Sequence, residues 1–186
     1  MSCIDNNPYN TYYEARTLPK KIVDYLFENA PDLWKLLYYE TDPDSQKDLT
    51  KAQKAKMICK TSSGETSKYN ILFQHYNNEA LKDATSQIRI EVMKIDSANR
   101  TDAMVRVLFQ VIVNNKLMIV NTKVSNVDNR STALMQMLVE ALNGTQIEGL
   151  KTPLNIDFSN DRNTGVNSVY FNTEFSGYEV VMSCFI

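Results

Sequence analysis

At 186 residues the chain is long enough for one domain with a full core and short for two. Hydrophobic residues make up 43% and charged residues 23%, a globular composition rather than that of a disordered chain. Twenty basic against 22 acidic residues leave a net charge of −2, too balanced to point to nucleic-acid or membrane-surface binding.

Residues 1–16 are rich in Asn and Tyr and lack a period, which predicts an N-terminal arm ahead of a single domain over residues 17–186. Tyr9, Tyr12 and Tyr13 are expected to pack that arm on its own domain. Thr17 is a helix-cap residue, and Ile22, Val23, Leu26 and Phe27 beyond it form a helical stripe. Asn29-Ala30-Pro31-Asp32 interrupts the stripe and starts a second helix, with Pro in the first turn where its missing N–H costs nothing. Leu33, Trp34, Leu36 and Leu37 are the predicted buried face of this helix. Glu40 to Ser45 is an acidic loop. Thr50-x-x-Gln53 has the form of a capping box and opens a third helix through Met57, Ile58 and Cys59, ended by Thr61-Ser62-Ser63-Gly64.

The period then changes. Tyr69 to Gln74 reads as a strand. Ile88, Ile90 and Val92 alternate with Gln87, Arg89 and Glu91, the pattern of a half-buried strand with one wet face. Val105, Val107, Phe109, Val111 and Val113 alternate with Arg106 and Gln110 opposite, the strongest strand signal in the chain. Asn114-Asn115 fits a tight hairpin turn into Leu117–Thr122, and equally a strand that stops before an irregular segment.

Leu134, Met137, Leu138, Ala141 and Leu142 fall on one helical stripe. Asn129 or Ser131 caps its start, and Asn143-Gly144 supplies the left-handed residue that closes its last turn. Residues 155–168 are a polar excursion. Val169–Phe175 and Tyr178–Ile186 read as a hairpin around Ser176-Gly177, with Tyr178, Val180, Met182, Cys184 and Ile186 on one face. Strands before and after one long helix predict an α+β fold: an antiparallel sheet with helices packed on one face.

Signs of chemistry are sparse. The five glycines make neither GxGxxG nor a P-loop, so no phosphate cradle is predicted. His75 is the sole histidine and lies at a strand end or loop, so a Ser or Cys nucleophile has no evident base. Cys3, Cys59 and Cys184 are scattered and odd in number, which argues against a disulfide framework and for a reducing compartment. With no CxxC or Cys/His cluster, a zinc site is not expected. Glu40, Asp42, Asp44 and Asp48 lack the Gly and terminal Glu of a calcium loop; they read as a solvated loop capping nearby helices. Asp157 and Asp161 take the same reading. Tyr69, Phe73 and Phe109 alternate as core packing explains, rather than as a base-stacking platform. The polar N-terminus holds no signal peptide, and no apolar run approaches the roughly 18–20 residues of a spanning helix, so synthesis in the cytosol without a classical export signal is expected.

Charge is uneven along the chain. Lys51, Lys54, Lys56 and Lys60 stand without an acid between them, while residues 140–186 hold six acids and two bases. A solvated basic helix face is the first reading, and complementary patches meeting between copies the second.

The blocks Leu33-Trp34-Lys35-Leu36-Leu37-Tyr38-Tyr39, Asp48-Leu49-Thr50 and Gln87-Ile88-Arg89-Ile90 stand in a fixed order. Asn129-Arg130, Leu142-Asn143-Gly144-x-x-Ile147-x-Gly149-Leu150 and Phe175-Ser176-Gly177-Tyr178 follow them. In that order, over roughly residues 18–186, the chain resembles tailed-bacteriophage neck and tail-completion proteins, tail terminators among them. It departs from that pattern where Lys151 follows Leu150 in place of a further small-residue turn. The resemblance implies a tail terminator-like α+β fold and a non-enzymatic ring subunit at the head–tail junction or the top of the tail. It also implies a homo-oligomeric ring, hexamer or dodecamer, stacked on portal, connector or tail-tube proteins, with DNA passing through the lumen without sequence-specific binding. No cofactor, metal or membrane is implied; the place is the virion, assembled in the host cytoplasm.

A ring needs two different complementary faces on each subunit. Lys51, Lys54 and Lys56 on the basic helix, and Asp157, Asp161 and Arg162 in the polar excursion, are the candidate interface residues. The 155–168 segment would line a lumen or reach an adjacent ring, becoming ordered on assembly. Nineteen asparagines suit such loops through their turn and left-handed preferences. Two other classes stay open: a small cytosolic enzyme using carboxylates and a tyrosine, and an adaptor binding through the Tyr-rich arm.

Overall fold

Helical stripes in the first 60 residues and alternating strands in the middle divide the chain between a helical layer and a sheet. The computed structural model describes residues 10–60, 69–74, 85–97, 102–158 and 165–186. Helix α1 (Asn10–Asn29) buries Ala15, Leu18, Ile22 and Leu26 along one stripe. It is already helical ahead of Thr17, whose hydroxyl donates back to the Glu14 carbonyl (3.0 Å) inside the helix instead of capping it. Helix α2 (Pro31–Tyr38) has its proline in the first turn and buries Leu33, Trp34, Leu36 and Leu37, as the spacing predicts. The Trp34 indole donates to the Leu26 carbonyl (2.9 Å) and ties the two helices together.

Helix α3 (Lys51–Met57) carries the predicted capping box: Thr50 Oγ1 accepts from the Gln53 amide, and the Gln53 side chain accepts from the Thr50 amide (2.9 Å). It ends at Met57, ahead of Ile58 and Cys59. Ile58 is instead paired with Ile71, and the Cys59 amide donates to the Ile71 carbonyl (2.9 Å), so extended pairing displaces the last helical turn. The expected stop at Thr61–Gly64 lies outside the described residues.

The strands are β1 (Ile71–Leu72), β2 (Ser86–Ser97), β3 (Ala103–Asn114), β4 (Ile119–Val120), β5 (Asp128–Asn129), β6 (Asn155–Ile156), β7 (Val166–Tyr170) and β8 (Phe175–Phe185), with helix α4 (Arg130–Leu142) between β5 and β6. Six of them form a sheet in the order β1-β2-β3-β8-β6, with β7 also on β8, and β4-β5 make a separate ribbon. The sheet is mixed and not wholly antiparallel. β1 runs parallel to β2, Ile71 opposite Ile88. The stretch between them is long enough for the crossover that a parallel pair requires.

Alternation in β3 holds: Val105, Val107, Phe109, Val111 and Val113 are all fully buried under the helices. The wet face expected of β2 is not wet near its start, where Gln87 and Arg89 are buried as deeply as Ile88 and Ile90. Their polar groups are met inside: Gln87 donates to the Tyr69 carbonyl (2.9 Å) and accepts from the Arg89 guanidinium (3.1 Å). Past β3 the strand stops. Asn114 Oδ1 accepts from the Lys116 amide (2.9 Å) and starts a 3-10 turn over Asn115–Leu117, so no hairpin is made there.

Helix α4 confirms both of its predicted ends. Asn129 Oδ1 accepts from the Thr132 amide (3.1 Å), and Gly144 stands at φ +79° past the last turn. Leu134, Leu138 and Leu142 are fully buried against the sheet. The polar excursion contains β6 and the start of β7, both paired to β8. The C-terminal hairpin exists, but its turn is Phe171–Glu174 and Ser176-Gly177 lies within β8. Asn172 makes that turn by accepting from the Glu174 and Phe175 amides (2.8 and 2.9 Å). The far face of the sheet carries a second, small cluster of Ile112, Phe171 and Phe175.

Candidate assembly surfaces

The three lysines of α3 separate in space. Lys51 and Lys56 are exposed, and Lys51 pairs with Glu28 (2.9 Å). Lys54 points inward at 9% exposure, where its ammonium donates to the Phe27 carbonyl (2.6 Å) and lies over the rings of Phe27 and Trp34. Burial holds its pKa below the usual lysine range. The helix face is therefore basic only in part, and Lys54 acts as a strut between α3 and α1.

Asp157 is likewise engaged. It is buried just after β6 and accepts from Arg106 Nε on β3 (2.7 Å). Arg106 also reaches Asp96 (3.4 Å), which pairs with Lys94 (2.9 Å). This charge row crosses the sheet face turned away from the helices. Asp161 and Arg162 lie outside the described residues, as does His75. The acidic loop after α2 works locally: Asp48 pairs with Lys35 (2.7 Å), whose pKa its hydrogen bond raises, and Asp44 accepts from the Lys123 amide (2.5 Å).

Arg130, at the first position of α4, is like Arg89 a buried charge that the sequence did not announce, at 1% exposure. Its guanidinium donates to the carbonyls of Leu36, Tyr39, Glu40 and Leu117, at 2.5 to 2.9 Å. Three of those carbonyls are at or just past the C-terminus of α2, where the helix dipole favours a cation. Burial lowers its pKa to about 10, which leaves it charged at neutral pH.

Sequence reasoning gave Leu117–Thr122 as a strand only in a hairpin with β3, and missed its pairing with Asp128–Asn129 in the ribbon β4-β5. Its turn is built by Thr122: the Thr122 amide donates to the Ser125 carbonyl (2.9 Å), its hydroxyl donates to Asp128 (2.7 Å) and accepts from the Val124 and Ser125 amides. Asp44 holds the Lys123 amide from outside. On this fixed frame Val124 is 88%, Val127 72% and Ile119 65% exposed. The available signal was two valines inside the polar run Asn121 to Asn129, where no period gives them anything to pack on.

A second surface is concave. β1 pairs with β2 at Ile88 and Arg89, near the start of that strand. A cleft of about 910 Å³ opens there, between α1, the end of α3 and β2. Val23, Phe27, Ile58, Phe73, Ile90 and Val92 form its apolar lining. Charged groups of both signs, among them Lys20, Asp24 and Glu28, stand around it.

Among the described residues no cluster of His, Cys, Asp or Glu could hold a metal ion, and no helix is long and apolar enough to cross a membrane. The model of the YomW family, a Bacillus phage SPbeta-region family, matches residues 30–184, from the start of α2 into the end of β8. No curated protein matches the chain.

Proposed function

Because the chain belongs to the YomW family and is a phage-derived protein, we propose that it is a virion structural protein: a ring-forming subunit at the head–tail junction or the top of the tail. It acts by self-association and by stacking on neighbouring rings, not by catalysis. The observation that carries this reading is the β4-β5 ribbon, which presents Ile119, Val124 and Val127 to solvent on a turn held by its own hydrogen bonds. An apolar projection of fixed shape suits a surface that is covered on assembly.

The sequence resemblance to neck and tail-completion proteins supports this reading of its place. Its partners are further copies of the chain in a hexamer or dodecamer, then portal, connector or tail-tube proteins, with DNA passing through the lumen. The exposed Lys51 and Lys56 and the polar segment around Asp161 and Arg162 belong at the rims of such contacts. Electron microscopy and sedimentation of the purified full chain test the proposal, together with mass spectrometry of purified particles. Rings of several copies and presence in the particle are expected. A chain that stays monomeric and is absent from particles overturns it.

A further inference from the structure

We infer that Asn143-Gly144 is a site of spontaneous deamidation that the fold holds shut through β6, so that modification there marks chains whose β6 has come away. The inference is independent of the proposed assembly and concerns the exit of α4.

Asn-Gly occurs once in the chain. Glycine after asparagine is the pairing in which this chemistry is easiest, because no Cβ crowds the attacking nitrogen. The Gly144 main-chain nitrogen attacks Cγ of Asn143, forming an N–C bond and losing its proton to water, while the side-chain nitrogen leaves as ammonia. Water then opens the succinimide at either carbonyl, giving aspartate or isoaspartate. Both residues are exposed, so water reaches them, and a Cβ built on Gly144 would meet nothing within 4 Å. Crowding therefore does not protect this peptide.

Hydrogen bonds do. The attacking Gly144 amide donates to the Leu154 carbonyl (2.8 Å), and the Asn143 amide donates to the Val139 carbonyl (2.8 Å). Asn143 Oδ1, on the carbon under attack, accepts from the Ile156 amide (2.9 Å). Asn143 stands in extended backbone at φ −68°, ψ 123°. Ring closure needs ψ rotated far from there, to bring the Gly144 nitrogen round beside Cβ. That rotation breaks the bond to Leu154, and the approach of Cγ pulls Oδ1 away from Ile156. Two of the three restraints thus come from the segment 154–156. Its strand, β6, is only two residues long, paired with Ser183 and Met182 of β8. So short a strand opens at lower free energy than the sheet it lies on. The rate of reaction follows the fraction of chains in which β6 is open.

The test incubates the full chain in mildly alkaline buffer, folded or in concentrated urea. Mass spectrometry with an isoaspartate assay reads the peptide that holds Asn143. Modification should be at least about tenfold slower in the folded chain than in urea. Ile156→Pro and Ile156→Ala both remove the isoleucine side chain, but only proline removes the N–H that holds Asn143 Oδ1. With circular dichroism showing both variants folded, the proline variant should deamidate at least about threefold faster than the alanine variant. Equal rates in folded and unfolded chains, or in the two variants, overturn the inference. If the proline variant does not fold, the wild-type chain in graded urea replaces it. Deamidation should then rise below the global transition followed by Trp34 fluorescence. A rate that rises only with global unfolding overturns the inference.

Discussion

At the scale of single residues, Arg130 shows how a charge can be a structural fastener. Its planar fork satisfies four carbonyls from two separate segments, the end of α2 and Leu117, and the farthest of them, Leu36, is 94 residues away in sequence. Lysine offers one nitrogen and cannot span them. Arg130→Lys should therefore destabilise the fold by about 1–3 kcal/mol, and Arg130→Ala by more, since buried carbonyls lose their donor; urea denaturation of both variants measures this. Cys184 gives the pH-dependent prediction. Burial pushes its thiol up to about 11 from 9.0, so the folded chain holds the proton longer than the unfolded one. Its stabilising contribution is complete below pH 9.0 and is lost as pH rises through about 11. Peptide-resolved alkylation at pH 9 should find Cys184 protected and the half-buried Cys59 modified first.

At the scale of elements, local signals succeeded where the determining contacts lie within a turn of each other. The capping box at Thr50 and Gln53, the proline start of α2, and the Asn129 cap with its Gly144 exit all follow from neighbours three or four residues apart. The glycines show where such reasoning stops. Gly144 has left-handed backbone with open space around it, whereas Gly177 lies in ordinary strand geometry against β3. A Cβ at Gly177 would stand 1.9 Å from the Val111 carbonyl oxygen, a clash invisible until β8 is laid beside β3. Gly177→Ala should cost about 3 kcal/mol or more by forcing the strands apart. Gly144→Ala should cost only about 1 kcal/mol, from its backbone conformation. Thermal and urea unfolding of the two variants should separate them in that order. The same dependence explains α3: its cap was legible, but its early end was not, because Ile71 recruits Ile58 and Cys59 from another part of the chain.

At the scale of the whole molecule, packing redistributes what the sequence offers for assembly. Charge patterning put the interface on Lys51, Lys54 and Lys56 against the acidic C-terminal region. In the fold, Lys54 is a strut under Phe27 and Trp34, Asp157 is bound by Arg106, and the β4-β5 ribbon leaves the apolar Ile119, Val124 and Val127 in water. The two kinds of contact respond differently to salt, since exposed charges beyond about 10 Å are largely screened at 0.1 M and apolar burial is not. Self-association through the apolar β4-β5 ribbon should persist or strengthen when sodium chloride is raised to about 1 M. Sedimentation across that range decides the matter, and dissociation with salt would return the interface to the lysines.

The sequence by itself determined the α+β class, the helices over Ile22–Phe27, Leu33–Leu37 and Leu134–Leu142, the long strand around Phe109, and most of the caps. Those features rest on period and on groups a few residues apart, so the information is local. Only the tertiary structure decided that β1 joins in parallel, that Gln87 and Arg89 are buried, that Arg130 closes α2, and that Val124 and Val127 stand in water. Each of these depends on which distant segments meet. Burial and pairing are properties of that meeting and not of the residue alone.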